Sequence, residues 1–252
     1  MRIMKEYRRP VHISSYDVDA CGRLRIPTML ALCQEASDQH MGLFGLNHAE
    51  LIRRDMAFLL MRLQTAISCL PGEGEDVEIA VCPRGVIGAQ YYRQFEMWRG
   101  QEKLVDMMES WVLADMTQRK ILNPAVLDDL QIDVTSYRGT SEVRLGRIKI
   151  PRGLPLLGEY TVQYSDLDFN GHVANYSYAR IALDMLPSYR GYNPQAQGCP
   201  APKRCKALWM NYLAESRWGD TLRVYGEETA QGFILQGETA AGPSFACRGE
   251  YA

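Results

Sequence analysis

The chain has 252 residues, a formal net charge of −2 at neutral pH, 46% hydrophobic residues and 23% charged ones. These are the proportions of an ordinary globular protein, which exclude a disordered polyelectrolyte and give no basic excess for binding nucleic acid. No window approaches the ~18 apolar residues of a membrane span, and the start Met1-Arg2-Ile3-Met4-Lys5-Glu6 lacks the apolar centre of a signal peptide.

Taken in chain order, a first short strand is expected over Val11 to Tyr16, followed by the polar turn Asp17-Val18-Asp19-Ala20-Cys21-Gly22-Arg23-Leu24. Met29, Leu32, Cys33 and Ala36 then fall at i, i+3, i+4 and i+7, which predicts a helix with one buried face. Apolar runs at Ala57 to Ile67, Val77 to Val81, Ala89 to Trp98 and Lys103 to Ala114 predict four strands. Turn signals such as Pro71-Gly72-Glu73-Gly74 and Arg99-Gly100 separate them. From about Asn123 to Leu157 the chain carries Pro124, Pro151 and Pro155 and reads as a linker. It holds Asp128-Asp129 and, further on, a basic stretch in which Arg138, Arg144, Arg147, Lys149 and Arg152 stand against only Glu142.

The pattern then recurs. Tyr160 to Tyr164 read as a strand, and Asp168-Phe169-Asn170-Gly171-His172 follow it. Ala179, Ala182, Leu183 and Leu186 mark the buried face of a second helix, and strands are expected at Ala207 to Leu213, Thr221 to Tyr225, Phe233 to Gln236 and Ser244 to Tyr251. Strand, helix, then consecutive antiparallel strands, twice over, is an α+β plan with a sheet wrapped around one long helix in each half. The two polar turns align without gaps, Asp17–Leu24 on Asp166–Val173, and the turns Glu75-Asp76 and Gly219-Asp220 lie at comparable distances downstream. The chain reads as a duplication. Both aspartates and the glycine match, but Cys21 stands opposite Asn170 and Arg23 opposite His172.

The second turn holds a carboxylate, an amide and an imidazole at alternate positions just before a helix. An acceptor, an amide donor and a titratable ring beside free helix N–H groups are what a hydrolytic site needs. Asp and Asn also cap helices and close turns, and Asn175 suits the start of a helix for the same reason.

The chain resembles the acyl-acyl-carrier-protein thioesterases of the tandem hot-dog type, plant and bacterial enzymes that release free fatty acids from acyl carrier protein. The resemblance covers nearly the whole chain. In the first half it rests on Ser15-Tyr16-Asp17, Ile26-Pro27-Thr28, Leu32-Cys33-Gln34-Glu35-Ala36, Leu60-Met61-Arg62-Leu63-Gln64 and Ser110-Trp111-Val112-Leu113. In the second it rests on Asp166-Leu167-Asp168-Phe169-Asn170-Gly171-His172-Val173-Ala174-Asn175-Tyr176 and Tyr212-Leu213-Ala214-Glu215. It implies two tandem hot-dog domains, here residues 1–122 and 158–252 joined by 123–157, forming an internal pseudo-dimer with a homodimer as a further option. It implies catalytic roles for Asp168, Asn170, His172 and Glu215, with no cofactor and no metal. Glu215, on a strand in a partly apolar cleft with its pKa raised by burial, would serve as base or water anchor. Asn170 would point at the thioester carbonyl or the water, His172 would hold the water or protonate the thiolate, and Asp168 would orient both.

The resemblance also places the acyl tunnel in the first repeat, where Met29, Leu32, Cys33, Ala36, Ala57, Phe58, Leu60 and Met61 are the candidate wall. The partner implied is acyl carrier protein, an acidic protein for which the basic linker, or Lys203, Arg204 and Lys206, would be a docking patch. Nothing looks like the transit extension of the plant enzymes, so a bacterial cytoplasmic protein is expected. Seven cysteines without C-x-x-C spacing suggest reduced core thiols. There is no G-x-S-x-G elbow, no H-x-x-x-H pair and no glycine-rich nucleotide motif. The other readings are an acyl-CoA thioesterase or dehydratase on the same fold, and a non-catalytic acyl-binding regulatory module.

Overall fold

In a computed structural model of the chain, the residues described are 2–129, 132–133, 143, 145–196 and 198–252. Arg138, Glu142 and Arg144 of the basic linker lie outside them.

The first half begins with β1 (Arg2–Ile3) and β2 (Tyr7–His12), then α1 (Ile26–Gly42) and α2 (His48–Arg53). Four long strands follow: β3 (Met56–Ile67), β4 (Asp76–Ile87), β5 (Gln90–Arg99) and β6 (Glu102–Asp115). β7 (Lys120–Ile121), α3 (Val126–Asp129) and β8 (Ile132–Asp133) are short, and β8 pairs in parallel with β1. The second half runs β9 (Leu156–Thr161), a 3₁₀ turn at Tyr164–Asp166, α4 (Asn175–Asp184), α5 (Pro187–Arg190), β10 (Cys205–Tyr212), β11 (Thr221–Glu228), β12 (Gly232–Thr239) and β13 (Gly242–Tyr251).

One eleven-stranded sheet contains both repeats, in the order β2-β4-β5-β6-β3-β10-β13-β12-β11-β9, with β7 added to β6. Within each half the order is the same, first strand outermost and the strand after the helix innermost. The halves join edge to edge at β3 and β10, antiparallel, with Ala207 opposite Ala66 and Asn211 opposite Arg62. Neither inner edge is left open there, which removes a pairing hazard.

α1 starts with Pro27 in its first turn, where a missing N–H costs nothing. Its buried face holds Met29, Cys33 and Ala36 together with Ile26 and Leu30, while Leu32 is half-buried at the edge of that face. α4 buries Ala179, Ala182 and Leu183 in the same core, and the two helices pack against each other inside the curved sheet. Each fully buried large apolar side chain contributes about 1.5–3 kcal/mol.

The strands expected after each helix are present, most of them longer than the apolar runs. The strands expected before the turns are displaced. β2 ends at His12 and β9 at Thr161, because the residues up to Tyr16 and Tyr164 already belong to the turns. The linker is pinned where Asn211 Oδ1 on β10 accepts the Ile148 N–H at 2.8 Å. No helix among the described residues is long and apolar enough to cross a membrane. All seven cysteines are free, with Cys33, Cys82, Cys205 and Cys247 buried.

Candidate active site

The second polar turn is built on two aspartates. Asp166 Oδ2 accepts the Gln163 N–H and the Tyr160 hydroxyl, both at 2.7 Å, and its other oxygen pairs with Arg180 of α4. The Asp166 carbonyl accepts the Ala174 N–H at 2.8 Å. The loop is thereby tied to β9 behind it and to α4 ahead.

Asp168 then closes the turn itself. Its Oδ1 accepts the backbone N–H of Asn170 at 2.8 Å and of His172 at 3.3 Å, and its own N–H reaches the His172 carbonyl at 2.8 Å. Gly171 sits at φ +75°, a conformation that glycine adopts without strain. The Asn170 side chain is exposed, with Nδ2 at 3.4 Å from Asp168 Oδ2.

The His172 ring turns the other way: its Nε2 lies 3.3 Å from Glu215 Oε2. The ring is therefore oriented by Glu215 and not by Asp168, whose contact with His172 is through the backbone. Glu215 is in the loop after β10 rather than on a strand, and its side chain is 34% exposed. Arg119 and Arg217 approach the same oxygen at 3.8 and 3.9 Å. The apolar cleft expected around Glu215 is replaced by a solvent-accessible basic surround.

α4 begins at Asn175 with Ala174 as its cap residue, and no side chain caps it. Asn175 is thus not the cap; its carbonyl accepts the Tyr212 hydroxyl at 3.2 Å. The first N–H groups of an uncapped helix are donors for negative charge.

A cavity of about 670 Å³ opens at this turn, within the size range of small-molecule sites. Asp168, Phe169, Asn170, Ala174, Asn175 and Tyr176 line its exposed end. Apart from Tyr212 of β10, the rest lies in the first repeat, between α1 (Leu30, Ala31, Ser37, Met41), β3 (Met56, Ala57, Phe58, Leu60, Leu63) and the Tyr91, Arg93, Glu109 and Trp111 side chains of β5 and β6. His172 and Glu215 stand beside the opening, outside the lining.

Of the candidate wall, Ala57, Phe58 and Leu60 line the cavity, while Met29, Leu32, Cys33, Ala36 and Met61 do not. Met29, Cys33 and Ala36 pack in the core, and Leu32 rests against it. Met61 falls at the register shift between Leu60 and Arg62 and leaves the cavity face. Helical periodicity identifies the most apolar face, which packs on the sheet; the cavity takes the neighbouring, mixed face of α1.

The sequence reading passed over several lining residues. Arg93 and Glu109 share the inward phase of Tyr91 and Trp111 on their strands, a charge in an apolar row that alternation alone could have flagged. His48 starts α2; its ring packs on Phe169, and its buried Nε2 has no hydrogen-bond partner among the described residues. His40 is buried in the last turn of α1 between Tyr7 and Phe44, and burial pushes its pKa down to about 4.

Residues 4–132 match the acyl-ACP thioesterase N-terminal domain, and residues 155–196 match the acyl-ACP thioesterase C-terminal domain. The chain belongs to the acyl-ACP thioesterase family. Among curated relatives, the acyl-[acyl-carrier-protein] hydrolase FATB3 of Cuphea viscosissima is 21% identical over 196 residues, and the palmitoyl-acyl carrier protein thioesterase of Cuphea hookeriana is 23% identical over 198. Each match covers 72% of this chain and 47% of the relative, so the chain spans about half the length of these chloroplastic proteins. Among solved structures, an acyl-ACP thioesterase from Bacteroides thetaiotaomicron superposes with a TM-score of 0.83 at 20% identity, covering 98% of both chains. The 12:0-ACP thioesterase from Umbellularia californica gives 0.80 at 17% identity over 98% of this chain and 97% of its own. The tandem hot-dog fold of the family is the fold of this chain.

Proposed function

We propose that the chain hydrolyses fatty acyl thioesters of acyl carrier protein, releasing free fatty acid and holo carrier protein in fatty acid biosynthesis. The observation that carries this reading is the cavity that starts at Asn170 and the α4 N-terminus, beside the His172–Glu215 contact, and continues into the first repeat. An acyl chain lying in it brings its thioester to the turn.

Water held between His172 and Glu215 attacks the carbonyl carbon, and the pair takes the water's proton as a unit. The carbonyl oxygen gains charge and is met by the Asn170 amide and the first N–H groups of α4. The C–S bond then breaks, and the thiolate leaves with the proton the pair had taken. Asp168 keeps the turn in the conformation that presents Asn170 and His172. No step requires a metal or cofactor.

The division of labour places acyl binding in residues 1–122 and chemistry in 158–252, with 123–157 as linker and the two repeats as an internal pseudo-dimer. Acyl carrier protein would meet a basic rim. Arg119 and Arg217 flank Glu215, and Arg147, Lys149, Arg152, Lys203, Arg204 and Lys206 are exposed. The expected compartment is the cytoplasm.

The test is steady-state hydrolysis by the purified chain of matched medium and long acyl groups, carried by acyl carrier protein and by coenzyme A. Faster turnover from the carrier protein supports the reading. Preference for coenzyme A makes the chain an acyl-CoA thioesterase, and no turnover from either carrier overturns the activity.

A further inference from the structure

The cavity wall contains a charge that an ordinary fatty chain has no use for. β5 and β6 face the interior with a ladder of cross-strand pairs: Tyr91 opposite Trp111, Arg93 opposite Glu109, Phe95 opposite Met107 and Met97 opposite Val105. Three of the pairs are apolar or aromatic and buried. In the other repeat the corresponding pairs on β12 and β13 are Phe233–Gly249, Leu235–Cys247 and Gly237–Phe245, apolar throughout. The polar pair is peculiar to the half that holds the cavity.

Arg93 and Glu109 feel each other's charge but do not meet in an ion pair. Among the described residues no carboxylate makes an ion pair with the Arg93 guanidinium. Its partners are the Ser37 hydroxyl on α1 and two thioether sulfurs, Met41 Sδ at 2.8 Å and Met4 Sδ at 3.6 Å. Thioethers are weak acceptors, so much of a five-donor guanidinium is left poorly satisfied. Glu109 is occupied by the Trp111 indole N–H at 2.9 Å. Burial raises its pKa to about 8, which leaves the carboxyl mostly neutral at physiological pH. Asp38 of α1, also on the cavity wall, is the remaining nearby carboxylate.

A saturated chain against this wall would strip water from the guanidinium and return no hydrogen bond. We propose that Arg93 and Ser37 form a polar subsite for an acyl chain bearing an oxygen function, a hydroxyl or keto group that accepts from the guanidinium. This inference rests on the thioesterase reading and sharpens its substrate class. An acceptor oxygen fits better than a second carboxylate, because Asp38 already supplies negative charge nearby.

The experiment compares carrier-protein thioesters of equal chain length, unsubstituted or carrying a 3-hydroxy, 3-keto, mid-chain hydroxy or terminal hydroxy group. The wild-type chain is expected to show kcat/KM about tenfold or more higher for at least one oxygenated substrate than for the unsubstituted one, the scale of a buried hydrogen bond to a charged group. Arg93→Met should abolish the preference, lowering kcat/KM for the oxygenated substrate about tenfold more than for the plain one. Ser37→Ala should reduce it, and Arg93→Lys should restore part of it. A wild type that prefers the unsubstituted chain over every oxygenated one overturns the subsite. Equal losses for both substrate types in folded Arg93→Met would overturn it as well. Binding of the free hydroxylated and plain fatty acids, followed by calorimetry, separates the two readings. Hydrolysis of no thioester defeats the activity, whereas equal affinity for the two acids defeats the subsite.

Discussion

The two polar turns are the same structure with different chemistry. Asp19 repeats the contacts of Asp168: its Oδ1 accepts the N–H groups of Cys21 at 2.8 Å and Arg23 at 3.1 Å, and its N–H reaches the Arg23 carbonyl at 2.7 Å. Gly22 and Gly171 share φ values of +73° and +75°. Asp17 accepts the Ser14 N–H at 2.8 Å as Asp166 accepts that of Gln163. The facing loops also correspond, since Leu24 donates to the Pro71 carbonyl and Val173 to that of Ser216, both within 2.9 Å. Leu70 therefore stands where Glu215 stands. The first turn keeps every aspartate and the glycine, and lacks the amide, the imidazole and the glutamate. An aspartate retained in a turn without that chemistry is there for the turn. Asn170, His172 and Glu215 are what distinguish the catalytic candidate from its copy.

The largest effects should fall on those three residues. Asn170→Ala and His172→Ala are each expected to lower kcat by about 10²-fold or more while the protein stays folded, as expected for losing an oxyanion donor or an acid–base group. Arg23→Ala and Leu70→Ala should leave kcat for thioester hydrolysis within a few-fold of wild type. Near-normal turnover in folded Asn170→Ala would break the comparison.

A second contrast separates cavity from core. Ala57→Phe puts a ring into the cavity and should shift released acids toward shorter chains. Ala36 is 0% exposed in the core, so Ala36→Phe should instead cost about 1–3 kcal/mol of stability by overpacking, read from the denaturation midpoint. Identical product profiles for wild type and a folded Ala57→Phe variant would remove Ala57 from the substrate wall.

Smaller still, Asp19→Ala and Asp168→Ala should each lose roughly 1–2 kcal/mol, since both leave two turn N–H groups without their acceptor. Asp19→Ala should keep its kcat. The halves also differ in the titratable group buried between strands. Glu109 holds its proton in the folded state up to about pH 8, whereas an unfolded glutamate releases it near pH 4.5. Its contribution is thus complete below about pH 4.5 and lost progressively as pH rises to about 8. Glu109→Gln should flatten that part of the stability profile, and an unchanged slope in chemical denaturation would show that Glu109 titrates normally.

Most of the architecture was legible because duplication and periodicity report burial directly. Both helices and all eight long strands fall on the apolar runs. The short elements α2, α3, α5, β1, β7 and β8 escaped, since two to six residues hold too little pattern. The match of Glu75-Asp76 to Gly219-Asp220 was off by one: Ile13 donates to the Glu75 carbonyl as Val162 does to that of Asp220. Gly74 and Gly219, at φ +79° and +82°, are the paired residues. At the site, the amide, ring and carboxylates could be read from residue type and resemblance. The cavity wall could not, because a cavity needs a face of α1 that is neither the most apolar nor the most polar. Arg93 escaped for a related reason: strand periodicity fixes its face, while its lack of a carboxylate partner depends on side chains from α1, β5 and β6 together.

The most direct measurement is the kcat for free fatty acid release from acyl carrier protein by wild type, Glu215→Ala and Cys21→Ala, with folding of each variant checked by its thermal transition. If the second turn carries the chemistry, Glu215→Ala loses about 10²-fold or more while Cys21→Ala stays close to wild type. Collapse of kcat in folded Cys21→Ala, with Glu215→Ala near normal, would place the active site in the other half and make Cys21 the nucleophile.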